Sequence, residues 1–182
     1  WLAHVLHPDR MPEPSGGVLL TLIHEIHLAM ELLGSAEKVA CLLPSYPALP
    51  IDVETIADLT IEHASNAVSQ IHLDMIQRPA HRGGVISCER GWASYNLLTN
   101  TVVGQTEGRH GVRVIADDAL YDANESYVEE MRTFLNCVRE GKVRHEHDAV
   151  RATQSLAIAV AARAAASKNS FVELPAWVRA LS

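Results

Sequence analysis

Two imidazoles, His24 and His27, share the stretch GGVLLTLIHEIHLAMELLG (residues 16–34) with Glu25 and Glu31. On a helix, residues three and four apart lie on one side, so His24, His27 and Glu31 face the same way. Three chemistries are open to such a group. An imidazole can act as acid and base because its ordinary pKa lies near working pH. A divalent metal could use the two rings and the carboxylate as ligands. The same residues could equally be polar groups at the edge of a packed helix. The histidines are three apart rather than the four of HExxH, and no further ligand cluster accompanies them, so no metal site is assigned. A second group, Arg78-Pro79 with His81-Arg82, is either an ordinary charged turn or a pair of guanidiniums able to grip an acidic or hydroxylated substrate. No cofactor-binding residues are visible. Gly16-Gly17 opens a helix without the strand and the GxGxxG of a dinucleotide loop, and Gly104, Gly108 and Gly111 have the wrong spacing. No GxSxG elbow supports a serine nucleophile.

The elements that must hold these residues follow from hydrophobic period. Leu19, Leu22, Ile23, Ile26, Met30 and Leu33 recur at steps of three and four, which predicts a helix over Val18–Leu33 with Gly34 in a left-handed cap. Residues 1–15, with three prolines and no period, read as an extended lead-in segment. Lys38–Leu43 reads as a short strand, followed by a loop marked by Pro44, Pro47 and Pro50. Val53–His63 and Ala67–Gln77 alternate around Ala64–Asn66, a hairpin signal with Ala57, Leu59 and Ile61 on one face and Asp58, Thr60 and Glu62 on the other. Strands are expected at Gly84–Cys88, Trp92–Leu97, Thr101–Gln105 and Val112–Ala116, joined by tight turns into an antiparallel meander. Two helices then close the chain. Glu125–Glu140 ends at Gly141, and a second runs from an Asp148 N-cap to about Lys168, before a last strand in SFVEL at 170–174. The order predicts an α+β domain over residues 16–182, with helices packed on one face of an open sheet.

Composition narrows the partners. The 182 residues are 48% hydrophobic and 20% charged with a formal charge of −7; without a basic cluster, no nucleic-acid partner is expected. No apolar run approaches the roughly 18 residues of a membrane span. Cys41, Cys88 and Cys137 are odd in number and lack CxxC spacing, which favours reduced thiols in a cytoplasmic protein.

Taken together, these motifs resemble the C-terminal half of the glucose–fructose oxidoreductase/inositol dehydrogenase (Gfo/Idh/MocA) family. GGVLLTLIHEIHLAMELLG is similar to the family's GGVxxDxxHExDxxxxLxG helix. IEHASNAVSQIHLDMIQRPAHRGGVISCERGWASYNL resembles its hairpin, QRP turn and following strand. YDANESYVEEMRTFLNCVREGK with HDAVRATQSLAIAVAARAAASKN resembles its closing helices. The resemblance runs from Gly16 to Leu174. It implies an open, predominantly antiparallel sheet in a dihydrodipicolinate-reductase-like domain, with no Rossmann domain in this chain. It further implies an N-terminal Rossmann partner domain holding NAD or NADP, a sugar or polyol substrate, and homo-oligomer contacts through the sheet. The family's catalytic histidine falls on His24. Thr21 and His27 stand where the family has aspartates, so they and Arg78 are the expected substrate-binding residues. The family's glycine-rich loop and glutamate-lysine-proline motif do not occur here, so no nicotinamide cofactor is expected to bind this chain alone. The alternative is a non-catalytic scaffold or sugar-binding domain.

Overall fold

In a computed structural model, the structure describes residues 16–44, 53–118, 120–142 and 149–179. The lead-in over 1–15, Pro47, Pro50 and the Asp148 cap lie outside the described residues. By their contacts the residues form two units, one up to Ile76 and from Glu146 onward, the other from Gln77 to His145.

The first unit begins with α1 (Gly17–Thr21) and α2 (Ile23–Leu33), separated at Leu22, where ψ is 28°. The single helix expected here is thus broken just before His24. Gly34 ends α2 with φ +89° and ψ −176°; φ is positive as expected, but ψ falls outside the left-handed helical well. β1 (Ala36–Leu42), β2 (Ile56–His63) and β3 (Val68–Asp74) pair antiparallel in the order β3-β2-β1, and β8 (Val172–Glu173) adds to the free edge of β1. The hairpin register sets Ala57 opposite Leu73 and Asp58 opposite His72. Ala57, Leu59, Ile61 and Leu73 are therefore turned together to the core, where each is at most 2% exposed. On the same side α4 (Ala149–Lys168) packs against β1, and its Ile158, Ala159, Ala162 and Ala165 are almost fully buried. Alanine has no side chain beyond Cβ, so the helix can approach the sheet closely while keeping high helix propensity. Val18, Leu19, Ile26 and Met30 add α1 and α2 to the same core. Each large aliphatic side chain buried in this way stabilises by about 1.5–3 kcal/mol. α5 (Ala176–Arg179) is tied on by Gln154, whose amide donates to the Val178 carbonyl at 3.0 Å.

His63, 3% exposed, locks the end of α2 to the hairpin. Its Nδ1 lies 2.8 Å from the Gly34 carbonyl and its Nε2 2.9 Å from the Ser69 hydroxyl. A carbonyl can only accept, so Nδ1 carries the proton and Nε2 accepts from Ser69.

The second unit holds β4 (Gly83–Cys88), β5 (Gly91–Asn96), β6 (Thr101–Thr106) and β7 (Arg113–Asp117), a four-stranded antiparallel meander in sequence order. The expected strands are present, but they part into two sheets rather than continuing as one. Gln77–Arg82 carries no ladder, and Pro79 has no N–H to give one. α3 (Ala123–Glu140) is capped by Asp122, whose carboxylate accepts from the Asn124 N–H at 2.9 Å, and ends at Gly141 with φ +65°. Its stripe of Tyr127, Met131, Phe134 and Val138 follows the sequence pattern, yet no residue of α3 is buried. Amphipathic spacing predicts the helix and its apolar side without naming what covers that side.

Candidate active site

The break at Leu22 makes Thr21 the last residue of α1 and His24 the second of α2. Ile26 and Met30 pin one side of α2 to the core. At 100° per residue the opposite side carries His24, Leu28 and Glu31. His24 is accordingly exposed, while Thr21 is half-buried. The rest of the polar set is engaged with α4. His27 Nδ1 lies 3.1 Å from the Ser155 hydroxyl, which is 3% exposed, and its Nε2 lies 3.8 Å from Glu31. Glu31 in turn accepts from Arg151 at 2.5 Å. A chain Ser155–His27–Glu31–Arg151 thus crosses from α2 to α4, leaving His24 as the imidazole that faces outward. Among the described residues no group of three or more His, Cys, Asp or Glu side chains could hold a metal ion.

Thr21, His24 and His27 therefore gather within two turns of one unit. Arg78 belongs to the other unit, where it is exposed and its guanidinium donates to the Gln77 carbonyl at 2.8 Å.

Sequence reasoning missed three residues that hold this helix pair. Ser155 is one. The others are Glu54, just before β2, and Arg163 of α4. The Glu54 carbonyl accepts from the Val18 N–H at 2.9 Å. Its carboxylate folds back against Gly17, where φ is +70° and a Cβ would lie 2.2 Å from Glu54 Cδ. Arg163 Nη2 donates to Glu54 at 2.6 Å and to the Gly16 carbonyl at 2.5 Å. The one local signal was the glycine pair, which marks a close approach without naming the Glu54 that makes it.

The far face of the first sheet is open and polar. His72 Nδ1 is 2.6 Å from Asp58 and its Nε2 is 3.4 Å from Asp74. The hydrogen bond to Asp58 raises the His72 pKa above the ordinary imidazole value, outweighing the lowering by partial burial. Lys38 pairs with Glu62 at 3.0 Å and stands 5.1 Å over the Phe171 ring. A shallow concavity of about 660 Å³ opens among Asp58, Thr60, Gln70, His72 and Phe171. Cys41, beneath it, is pushed up to about 11 by burial and by the nearby Asp58 and Glu54 charges, so its thiol is protonated and inert. No helix among the described residues is long and apolar enough to cross a membrane.

Comparison with known proteins gives a consistent picture. The GFO/IDH/MocA C-terminal domain matches residues 3–94. No curated protein sequence matches the chain. Among solved structures, levoglucosan dehydrogenase in complex with NADH and levoglucosan is similar with a TM-score of 0.79 at 20% identity, covering 88% of this chain and 51% of that one. An oxidoreductase domain protein from Kribbella flavida gives 0.79 at 14% identity, with 93% and 52% covered. The WlbA dehydrogenase from Bordetella pertussis, in complex with NADH and UDP-GlcNAcA, gives 0.64 at 21% identity, with 88% and 49% covered. The likeness is one of fold, and the chain spans about half the length of these structures.

Proposed function

Because this chain belongs to the GFO/IDH/MocA family through its C-terminal domain, we propose that it is the substrate-binding and oligomerisation part of an NAD(P)-dependent oxidoreductase acting on a sugar or polyol hydroxyl. The observation that supports the reading is the exposure of His24 on a helix whose other side is buried, at the position to which the sequence resemblance carries the family's catalytic histidine. His24 takes the hydroxyl proton as the carbinol carbon loses hydride, and returns it in the reverse direction. Thr21, three residues earlier in the chain and across the break at Leu22, offers a hydroxyl to the same substrate. His27 is a further substrate contact in this reading, through the part of its ring that Ser155 and Glu31 leave open.

NADH in two of the matched structures supports a nicotinamide cofactor for the whole protein. The described residues do not fit one. Both sheets are antiparallel, and the Glu54 carboxylate occupies the space beside the only double glycine that leads into a helix. In this reading a separate Rossmann domain holds the cofactor, and this chain supplies the proton-transfer group. The open face of the first sheet is the surface for a second copy.

Thr21 favours one other reading. A hydroxyl replaces the family's carboxylate there, as in a sugar-binding domain that has lost its chemistry. Full-length protein, incubated with NAD⁺ or NADP⁺ and a panel of levoglucosan, free sugars, inositols and UDP-N-acetylglucosamine, separates the two. Cofactor reduction with at least one of them is expected. Sugar binding by calorimetry without any reduction would favour the binding domain.

A further inference from the structure

The pair Gly16-Gly17 opens α1, which leads across the break at Leu22 into the α2 that carries the candidate acid/base, and its surroundings explain why glycine stands there. Gly17 has φ +70°, which side chains disfavour, and the Glu54 carboxylate fills the space where its Cβ would stand. Three segments meet at this point. The strand lead-in gives the Glu54 carbonyl to the first-turn N–H of Val18 at 2.9 Å. α4 gives Arg163, whose Nε and Nη2 reach the same Glu54 oxygen at 3.3 Å and 2.6 Å. Arg163 Nη2 also holds the Gly16 carbonyl at 2.5 Å. The Glu54 side chain is only 14% exposed, so its charge is held in a partly dry setting with one cation beside it.

We infer that the Glu54–Arg163 pair is a positioning device, fixing the start of α1 against the sheet and α4 and, through the short α1, setting where Thr21 and His24 stand. The apolar contacts of Val18 and Leu19 hold α1 to the core without direction, since hydrophobic burial is non-directional. α1 is five residues long and breaks at Leu22, so it has few internal hydrogen bonds of its own to resist rotation. The charged pair supplies the direction. Neither residue needs to touch substrate. The role rests on the reading of His24 as the acid/base, although the anchoring of the helix start does not.

The test uses full-length protein carrying Glu54→Gln, with Arg163→Met as the stronger variant and His24→Ala as reference. Hydrogen exchange is read at the amides of residues 18–24 and compared with 57–63 in β2. The expected result is at least about tenfold faster exchange in 18–24 with β2 unchanged. With it, kcat on the sugar found in the panel falls about tenfold or more while KM for the nicotinamide cofactor stays constant. If exchange in 18–24 is unchanged in folded Glu54→Gln, the anchoring claim is overturned. If exchange rises but kcat is unaffected while His24→Ala is inactive, the positioning of His24 is overturned. If His24→Ala is itself fully active, the functional reading of His24 fails, and exchange alone decides the anchoring claim. Should Arg163→Met not fold, the Glu54→Gln result stands by itself.

Discussion

His72 lies between two carboxylates, 2.6 Å from Asp58 and 3.4 Å from Asp74, on a face that is otherwise solvent-exposed. Its folded pKa is raised, chiefly by the Asp58 hydrogen bond. A raised folded value means the native state binds the proton more tightly than the unfolded chain does. The stabilisation is therefore complete below the ordinary imidazole pKa and is lost as pH rises through the raised folded value. With 57% of the side chain exposed, the effect is small. Thermal unfolding of wild type and His72→Gln between about pH 5.5 and about pH 8 checks the sign. Wild type should lose its advantage over the variant as pH rises; a constant gap would mean the ring does not titrate against Asp58. His24, by contrast, is exposed and has no hydrogen-bond partner among the described residues.

At the scale of elements, Gly17 is the position whose identity the packing constrains most visibly. Gly17→Ala must adopt a positive φ and displace the Glu54 carboxylate, a cost of about 1–3 kcal/mol. Denaturant unfolding should show that loss, and a variant within a few tenths of wild type would mean the helix start is free to move. The hairpin shows what sequence reasoning can reach. Ala57, Leu59 and Ile61 alternate with Asp58, Thr60 and Glu62, and the structure buries the first row and opens the second, because a period of two leaves no other way to hide the aliphatics. Helix period likewise sets His24 away from Ile26 and Met30, and the structure exposes it, whereas the role expected of it came from the resemblance alone. Glu54 and Arg163 were not legible. They are 109 residues apart in the chain, and no local pattern brings a carboxylate from before β2 to a glycine in α1. The break at Leu22 was silent because apolar spacing runs on across it, whereas the separation of the hairpin and the meander into two sheets falls at Gln77–Arg82, where Pro79 was the readable signal.

At the scale of the whole molecule, the described helices that pack on the first sheet lie on one face of it. Its other face combines charged pairs, Lys38–Glu62 and His72–Asp58, with the Phe171 ring and a shallow concavity. A mixed surface of this kind suits an isologous dimer burying about 1,200–2,000 Å². Sedimentation across a concentration series should show dimer at tens of micromolar, and introducing Gln70→Arg at the centre of the face should shift the protein toward monomer. A strict monomer throughout would remove the sheet from the list of oligomer contacts. The central claim, however, is that this half of the protein contributes the proton-transfer group. Steady-state kinetics of His24→Ala in the full-length enzyme test it most directly, on the sugar or polyol found in the panel and with cofactor binding and thermal midpoint measured alongside. kcat is expected to fall by about 10²–10⁴-fold with fold and cofactor affinity intact. Turnover close to wild type in the folded variant would contradict it.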